Sequence, residues 1–344
     1  MSGKVEIRIH DKCASVPLGI SVVEAAAQAG LTFHEECLVE LVSGSLDVVG
    51  KHEDHVVVAR QARISGPAEL RFETRPREIK VSGQLVALND LAADIVEIVI
   101  RTNQPIPYLP GQSLSVEFAG YPARQLSPTL SLDGLRELDQ LVFHMRRHRD
   151  GAVSAALGQG IRPGRKVTLR GPQGHAFLRR GNGRLILVSS GTGFAALWSV
   201  AVAARLGQPH RPLHIIASAR DPRHLYMRPA LDWLAKHGVE DVTLAASAAA
   251  PMPPARHGRA LVFLPRLGPE DTLHAFGAAE MVDSLRQVAA QTGARCYAQI
   301  HQAAEPSPQA GAIRRFFTPA AKPASPVHAQ LEALAARLSR PGNG

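Results

Sequence analysis

The sequence predicts an α+β chain of several domains: a small β-rich domain with one helix, an antiparallel β-barrel, and a doubly wound α/β domain. Three observations carry this. Residues 79–172 hold short runs of alternating polarity split by glycine and proline turns, the pattern of antiparallel strands that close on themselves. From Arg184 the runs become nearly continuous in apolar residues, as in RLILVSS, which is how a strand buried on both faces of a parallel sheet reads. Such runs then alternate with helical segments to about residue 300, the order of an α/β fold.

VEIRIH, residues 4–9, alternates like a half-buried strand. In SVVEAAAQAG, Ser21 and Glu24 have capping-box spacing, and Gly30 stands where a helix would stop. HEECLVELVSGS, residues 34–45, reads as a loop, followed by the strand-like pieces LDVVG and HVVVARQARI. This first domain is expected to span residues 1–76. The barrel, residues 77–181, draws its strands from IKVSGQLVAL, DIVEIVIRT, SLSVEFA, LVFHMRRH and KVTLRGP. The α/β domain, residues 182–302, begins with RLILVSS, a glycine turn and the helix FAALWSVAVAARLG. LHIIASA, a helix around RPALDWLAKHG, the strands DVTLAAS and ALVFLP, and the helix AEMVDSLRQVAAQTG follow. Residues 303–344 read as an Ala/Pro-rich tail with one short helix, Leu331, Leu334 and Leu338 on one side.

Composition bounds the function. With 45% hydrophobic and 20% charged residues in 344, the chain reads as soluble and globular. No apolar run reaches the roughly 18–20 residues that span a bilayer. MSGKVEIRIHDK lacks the apolar centre of a signal peptide, so a cytoplasmic protein away from the membrane is expected. The three cysteines, Cys13, Cys37 and Cys296, are odd in number and far apart, which argues against a disulfide framework. They are also too few for the four thiolates of an ordinary iron–sulfur cluster. A formal charge of +9 favours an acidic partner or a phosphate-bearing ligand. No basic stripe with interleaved aromatics points to nucleic acid.

Four segments occur in a telling order: YLPGQSLSVEF (108–118), ARQLSPT (123–129), FHMRRHRDGAVSAAL (143–157) and GRKVTLRGPQGHAFL (164–178). Their succession resembles the ferredoxin–NADP⁺ reductase family, in particular the reductase components of bacterial oxygenases that carry a fused N-terminal 2Fe–2S ferredoxin domain. The resemblance covers residues 1 to about 300. It implies a β-grasp ferredoxin-like domain, an antiparallel barrel that binds FAD, and an α/β domain that binds NADH or NADPH.

The resemblance also assigns residues. The family's Arg-x-Tyr-Ser box is Arg124-Gln125-Leu126-Ser127 here. An arginine pairs bidentately with a pyrophosphate, and a serine hydroxyl bonds the flavin edge near its reactive nitrogen, which places Ser127 in the catalytic centre. Leu126 stands where the family has tyrosine, so one aromatic face against the flavin is lost. Gly151-Ala152-Val153-Ser154 matches a segment that starts a helix whose amides hold the flavin phosphates. Ser190-Gly191-Thr192-Gly193 resembles the nicotinamide-dinucleotide loop. Gly191, Thr192 and Gly193 would hold the dinucleotide, with Thr192 at the catalytic centre. In SARDPRHLY, Arg220 and Arg223 have the chemistry to meet a 2′-phosphate, or are simply surface arginines. The choice between NADH and NADPH stays open.

HAFGAAEMVDSL (274–285) stands where the family has Cys-Gly-Pro-Pro-x-Met. Gly277 and Met281 are kept, with Gly277 as a cofactor contact. Phe276, Ala278 and Ala279 replace the cysteine and prolines. Under this reading a Phe276→Cys change should hold or raise nicotinamide oxidation. The family's terminal aromatic is replaced by Gln302, Ala303 and Ala304.

In the ferredoxin fold the cluster cysteines are spaced Cys-x4-Cys-x2-Cys, with a fourth far downstream. Counted from Cys37, the later positions are Val42, Ser45 and Phe72, and His34 does not complete a ligand set. The expectation is a ferredoxin-like frame without an iron–sulfur cluster, Val42 and Phe72 filling the space. The resemblance then implies a flavin reductase whose FAD takes electrons from NAD(P)H and hands them to an acidic protein partner, an oxygenase or a separate ferredoxin. The alternative is a catalytically impaired homologue kept as an assembly or regulatory subunit.

Overall fold

In the computed structural model, residues 3–33, 37–49, 56–73, 76–132, 139–239 and 241–301 are described. His34, the positions 302–304 and the 303–344 tail lie outside them.

The alternation in the first segment forms Lys4–Ile9 (β1), paired antiparallel with Lys12–Pro17 (β2). The helix Val22–Gln28 (α1) starts at the expected box: the Glu24 N–H donates to Ser21 Oγ at 3.2 Å and the Ser21 N–H to Glu24 Oε2 at 3.0 Å. Three more strands follow, Leu38–Val48 (β3), Val56–Val58 (β4) and Ala62–Glu73 (β5). They complete a five-stranded sheet of order β2-β1-β5-β3-β4, with β1 and β5 parallel.

The expected loop at 34–45 is therefore corrected, since from Leu38 onward it is strand. Leu38 and Val39 pair with β4 and β5, and register shifts at Leu41/Ser43 and Gly44/Leu46 absorb the small residues that looked like a loop. Gly44 is required there: its φ is +95° and a Cβ would lie 2.0 Å from the Pro67 carbonyl oxygen. Phe72 is in the domain core, stacked on Phe33 at 4.0 Å between ring centroids. Val42 is half-exposed and outside that core, so of the two expected fillers only Phe72 is packed as one.

The barrel strands are Ile79–Ala92 (β6), Ile95–Thr102 (β7), Ser113–Phe118 (β8), Arg124–Leu126 (β9), Gln140–Arg146 (β10) and Lys166–Gln173 (β11). Their order is β10-β7-β6-β11-β8-β9, with every pair antiparallel. The two edges meet where the Thr129 N–H donates to the Val142 carbonyl at 2.8 Å, which draws the sheet into a barrel around Ile98, Phe118, Phe143 and Leu169.

The α/β domain comprises Leu185–Ser190 (β12), Phe194–Gly207 (α2), Leu213–Ala219 (β13), Arg228–Lys236 (α3), Asp241–Ala246 (β14), Arg256–His257 (β15), Thr272–Gly277 (β16), Ala279–Thr292 (α4) and Arg295–Ile300 (β17). All its pairings are parallel, in the order β15-β14-β13-β12-β16-β17. The winding reverses between β12 and β16, so a crevice opens at the carboxyl ends of these two strands. ALVFLP, expected as a strand, is instead a 3₁₀ turn at Ala260–Phe263. The ladder beside β14 is taken by β15, and TLHAFG takes the place beside β12. Helix α2 is apolar nearly all round because it is covered nearly all round, and Trp198 Nε1 donates to the Ser131 carbonyl at 3.1 Å, tying it to the barrel.

A buried polar network joins the first domain to the others. The Tyr297 hydroxyl on β17 donates to Glu40 of β3, which also faces Arg71 at 3.5 Å. Arg179, in the connection from barrel to α/β domain, pairs with Glu73 of β5 at 3.0 Å. Arg211 donates to the carbonyls of Arg179 and Gly183 and to Thr272 Oγ1, fastening that connection to β16.

Candidate functional site

The site forms where the outer face of the barrel meets the switch point of the parallel sheet. Strand pairing sorts the Arg124–Ser127 box. Arg124 and Leu126 lie opposite Val116 and Leu114, both barrel-core residues, and Leu126 packs against that core. Gln125 turns outward, where its Nε2 donates to Gln173 Oε1 at 2.6 Å. Arg124 is half-buried, and its guanidinium has no ion-pair partner among the described residues. Ser127 is 3% exposed, and its Oγ is buried with no hydrogen-bond partner. Thr129, two residues on, repeats this: 2% exposed with an unpartnered Oγ1. Orphaned buried hydroxyls are costly, so two in succession make this face chemically suited to a polar ligand.

Gly151-Ala152-Val153-Ser154 does not start a helix. It leads into a single 3₁₀ turn at Ser154–Ala156, so the dipole argument for anion binding does not apply. The Ser154 hydroxyl is taken up locally, accepting from the His148 N–H at 3.1 Å, and Val153 is in the barrel core. Gly151 is needed for this turn, because a Cβ would lie 2.3 Å from Ser154 Oγ. The backbone N–H groups of Ala152, Val153 and Ser154 have no carbonyl partner among the described residues. Three neighbouring free amides and the unpaired Arg124 suit a phosphate-bearing ligand even without a helix.

At the switch point, Gly191–Gly193 forms a tight turn between β12 and α2, with Thr192 half-buried. Gly193 lies against the backbone of Phe276 and Gly277, where a Cβ would come 2.3 Å from the Phe276 carbonyl oxygen. Ser190 Oγ accepts from the Ala278 N–H at 3.1 Å, and the His301 N–H donates to the Gly277 carbonyl at 2.8 Å. Gly277 has φ +147°, and a Cβ on it would lie 2.2 Å from Ser190 Oγ. Gly277→Ala is therefore expected to lower stability by about 1–3 kcal/mol through overpacking, read as an earlier urea midpoint.

The structure thus brings Gly191, Thr192, Gly193 and Gly277 together, and sets Arg220 at the end of the adjoining β13, exposed. Arg223 is held bidentately by Asp221, whose carboxyl is pushed well below the usual range by those hydrogen bonds. The Phe276 ring is fully buried, in a core with Phe194 and Tyr297.

Four residues at this junction escaped sequence reasoning. Two are Thr129 and His301, whose Nε2 is buried without a partner and whose pKa burial pushes down to about 4. The others are His144 on β10 and Tyr226, joined Nδ1 to Oη at 3.2 Å. Only a histidine inside the alternating strand LVFHMRRH signalled any of them.

Residues 82–177 match the family of oxidoreductase FAD-binding domains. The chain is 25% identical over 255 residues to the ferredoxin–NAD(P)⁺ reductase component of the naphthalene 1,2-dioxygenase system of Pseudomonas putida, covering 67% of this chain and 76% of that one. It is 28% identical over 235 residues to the electron transfer component of a xylene/toluene monooxygenase from the same organism, where the match spans 66% of the relative, just under two thirds. Among solved structures, a cytochrome P450 reductase from Amycolatopsis superposes with a TM-score of 0.61 at 20% identity, over 88% of this chain and all of that one. The ferredoxin reductase of carbazole 1,9a-dioxygenase superposes at 0.55 and 19%, over 88% of this chain and 99% of that one. The chain has the fold of these reductases, and its residues 82–177 match the oxidoreductase FAD-binding domain. In sequence it is similar to the reductase components of oxygenase systems.

Proposed function

We propose that this protein is an NAD(P)H-dependent flavin oxidoreductase that passes electrons from FAD to a protein partner, an oxygenase or a separate ferredoxin. The observation that carries the reading is the pair of buried, unpartnered hydroxyls of Ser127 and Thr129 on the barrel face beside the glycine turn. Bound there, FAD would take two electrons from a nicotinamide and release them one at a time. The chain's own part is to hold and orient. Ser127 and Thr129 meet the polar edge of the ring, and Arg124 with the amides of 152–154 meets the phosphates. Gly191, Thr192, Gly193 and Gly277 form the floor for the dinucleotide, where side chains would block its approach.

The domain assignments 1–76, 77–181 and 182–302 belong to this reading, with the first domain a ferredoxin-like frame. Val42, Ser45 and Phe72, the positions that match cluster ligands, all lie on the paired strands β3 and β5. Among the described residues no group of three or more His, Cys, Asp or Glu side chains is placed to hold a metal. In this reading electrons leave FAD directly for a separate protein, and a chain of formal charge +9 favours encounter with an acidic acceptor. Among the described residues no helix is long and apolar enough to cross a membrane.

The purified protein is expected to bind FAD stoichiometrically and to show flavin absorption without cluster bands. Ser127→Ala should weaken FAD by roughly three- to tenfold, the worth of one net hydrogen bond. A wild-type protein that takes up no added FAD in a fluorescence titration would overturn the reading.

A further inference from the structure

The Thr129–Val142 bridge fixes more than the closure of the barrel. It sets Thr129 opposite Val142, and His144 stands two residues on from Val142 along β10, on the same side of that strand. Residues directly opposite in such a pair share a face. Thr129 Oγ1 and His144 Nε2 thus lie on one face of the barrel, with Ser127 Oγ two residues along the chain from Thr129, and all three atoms are buried without a hydrogen-bond partner. That face is turned to the α/β domain, because His144 meets Tyr226 edge-on, with ring centroids 5.3 Å apart.

The proton on His144 can be assigned. Burial pushes its pKa down to about 3, so the ring is neutral and carries one N–H. Tyr226 is 6% exposed, and its hydroxyl has His144 Nδ1 as its one partner among the described residues. Were Nδ1 the protonated nitrogen, the phenol hydrogen would be left buried with no acceptor. Donation from Tyr226 to Nδ1 satisfies both groups and leaves the N–H on Nε2. Glu97, across the ladder from His144, does not absorb that donor; its Oε1 accepts from Asn89 Nδ2 at 2.9 Å.

We propose that His144 is a further binding residue of the flavin face, presenting an Nε2–H donor beside the hydroxyls of Ser127 and Thr129, with Tyr226 fixing the tautomer from the opposite domain. This rests on the reading of the barrel as the FAD site. It also joins the two halves of the site. Tyr226 packs edge-on against Phe194 at 5.9 Å, and Phe194 directly follows Gly193.

Two measurements test this. Nitrogen-15 NMR of the histidines in the FAD-free protein reads the tautomer directly, and His144 is expected as the Nε2–H form. Tyr226→Phe should convert that signal to a mixture of tautomers. The second is an FAD titration of the double variant His144→Phe/Tyr226→Phe, which replaces both partners with apolar rings and so spares the fold. It should bind FAD roughly three- to tenfold more weakly than wild type, for one lost donor. An Nδ1–H signal in the wild type, or an unchanged FAD affinity in the double variant, overturns the role of His144 while leaving the FAD reading intact. Wild-type protein that binds no FAD overturns both.

Discussion

Arg179→Met is expected to destabilise the protein by about 3–5 kcal/mol, the cost of stranding a buried charge by removing its partner. Arg179 is 3% exposed and sits where the first domain, the barrel and the α/β domain converge. Its Nε pairs with Glu73 at 3.0 Å, and its Nη1 donates to the carbonyls of His175 and Phe177 at 2.7 and 2.6 Å. Its guanidinium stacks over the rings of Phe177 and Tyr297, 3.7 and 4.1 Å from their centroids. Methionine keeps most of the volume and none of the charge, so the loss reports on the guanidinium, its ion pair and its hydrogen bonds, and not on a cavity.

The pH dependence carries a definite sign. In the folded wild type the Glu73 carboxyl is raised above its ordinary value of 4.5, because burial outweighs the opposing pull of Arg179. A carboxyl raised on folding binds its proton more tightly in the native state. Stability therefore falls as pH climbs from the ordinary carboxylate value through the native one. Without Arg179 the raising causes, burial and the neighbouring Glu40, act with less opposition, so the fall should be steeper and reach higher pH. Adding Glu73→Gln to Arg179→Met should flatten it. Urea melts across pH 4 to 8 measure this; equal midpoints for wild type and Arg179→Met would sink the argument.

How much of this could be read beforehand follows from the range of the interactions. The capping box of α1, the alternation of β6, β7 and β10, and the apolar β12 are set by residues a few positions apart, and the sequence displayed them. Strand β3 was hidden because Gly44 and its flanking serines look like a loop until Pro67 and Ala68 on β5 are seen beside them. At three residues, β9 is too short for alternation to register. In the site, the glycine turn and Ser127 were legible as motifs. Thr129 passed as ordinary because its significance lies in having no partner. His144 and Tyr226 are 82 residues apart, and the contact exists only once the barrel face is laid against the α/β domain. Ser154 erred in the opposite direction, since its hydroxyl was already committed to the His148 backbone.

Phe276 puts the resemblance and the structure in direct conflict, and a single variant decides between them. By motif the residue stands in the place of a nicotinamide-side cysteine, and restoring that cysteine should hold or raise nicotinamide oxidation. By structure its ring is fully buried at the end of β16, in a core shared with Phe194, Trp198 and Tyr297, with His274 stacked at 6.0 Å. Phe276→Cys would then empty most of a phenyl ring's volume from a close-packed interior, at an expected cost of about 2–4 kcal/mol. The cavity opens directly behind Gly193, whose packing against the Phe276 carbonyl fixes the glycine turn. The expected result is an earlier thermal midpoint and a nicotinamide oxidation rate no higher than wild type at saturating FAD. A variant as stable as wild type and faster would place the side chain at position 276 in the crevice after all.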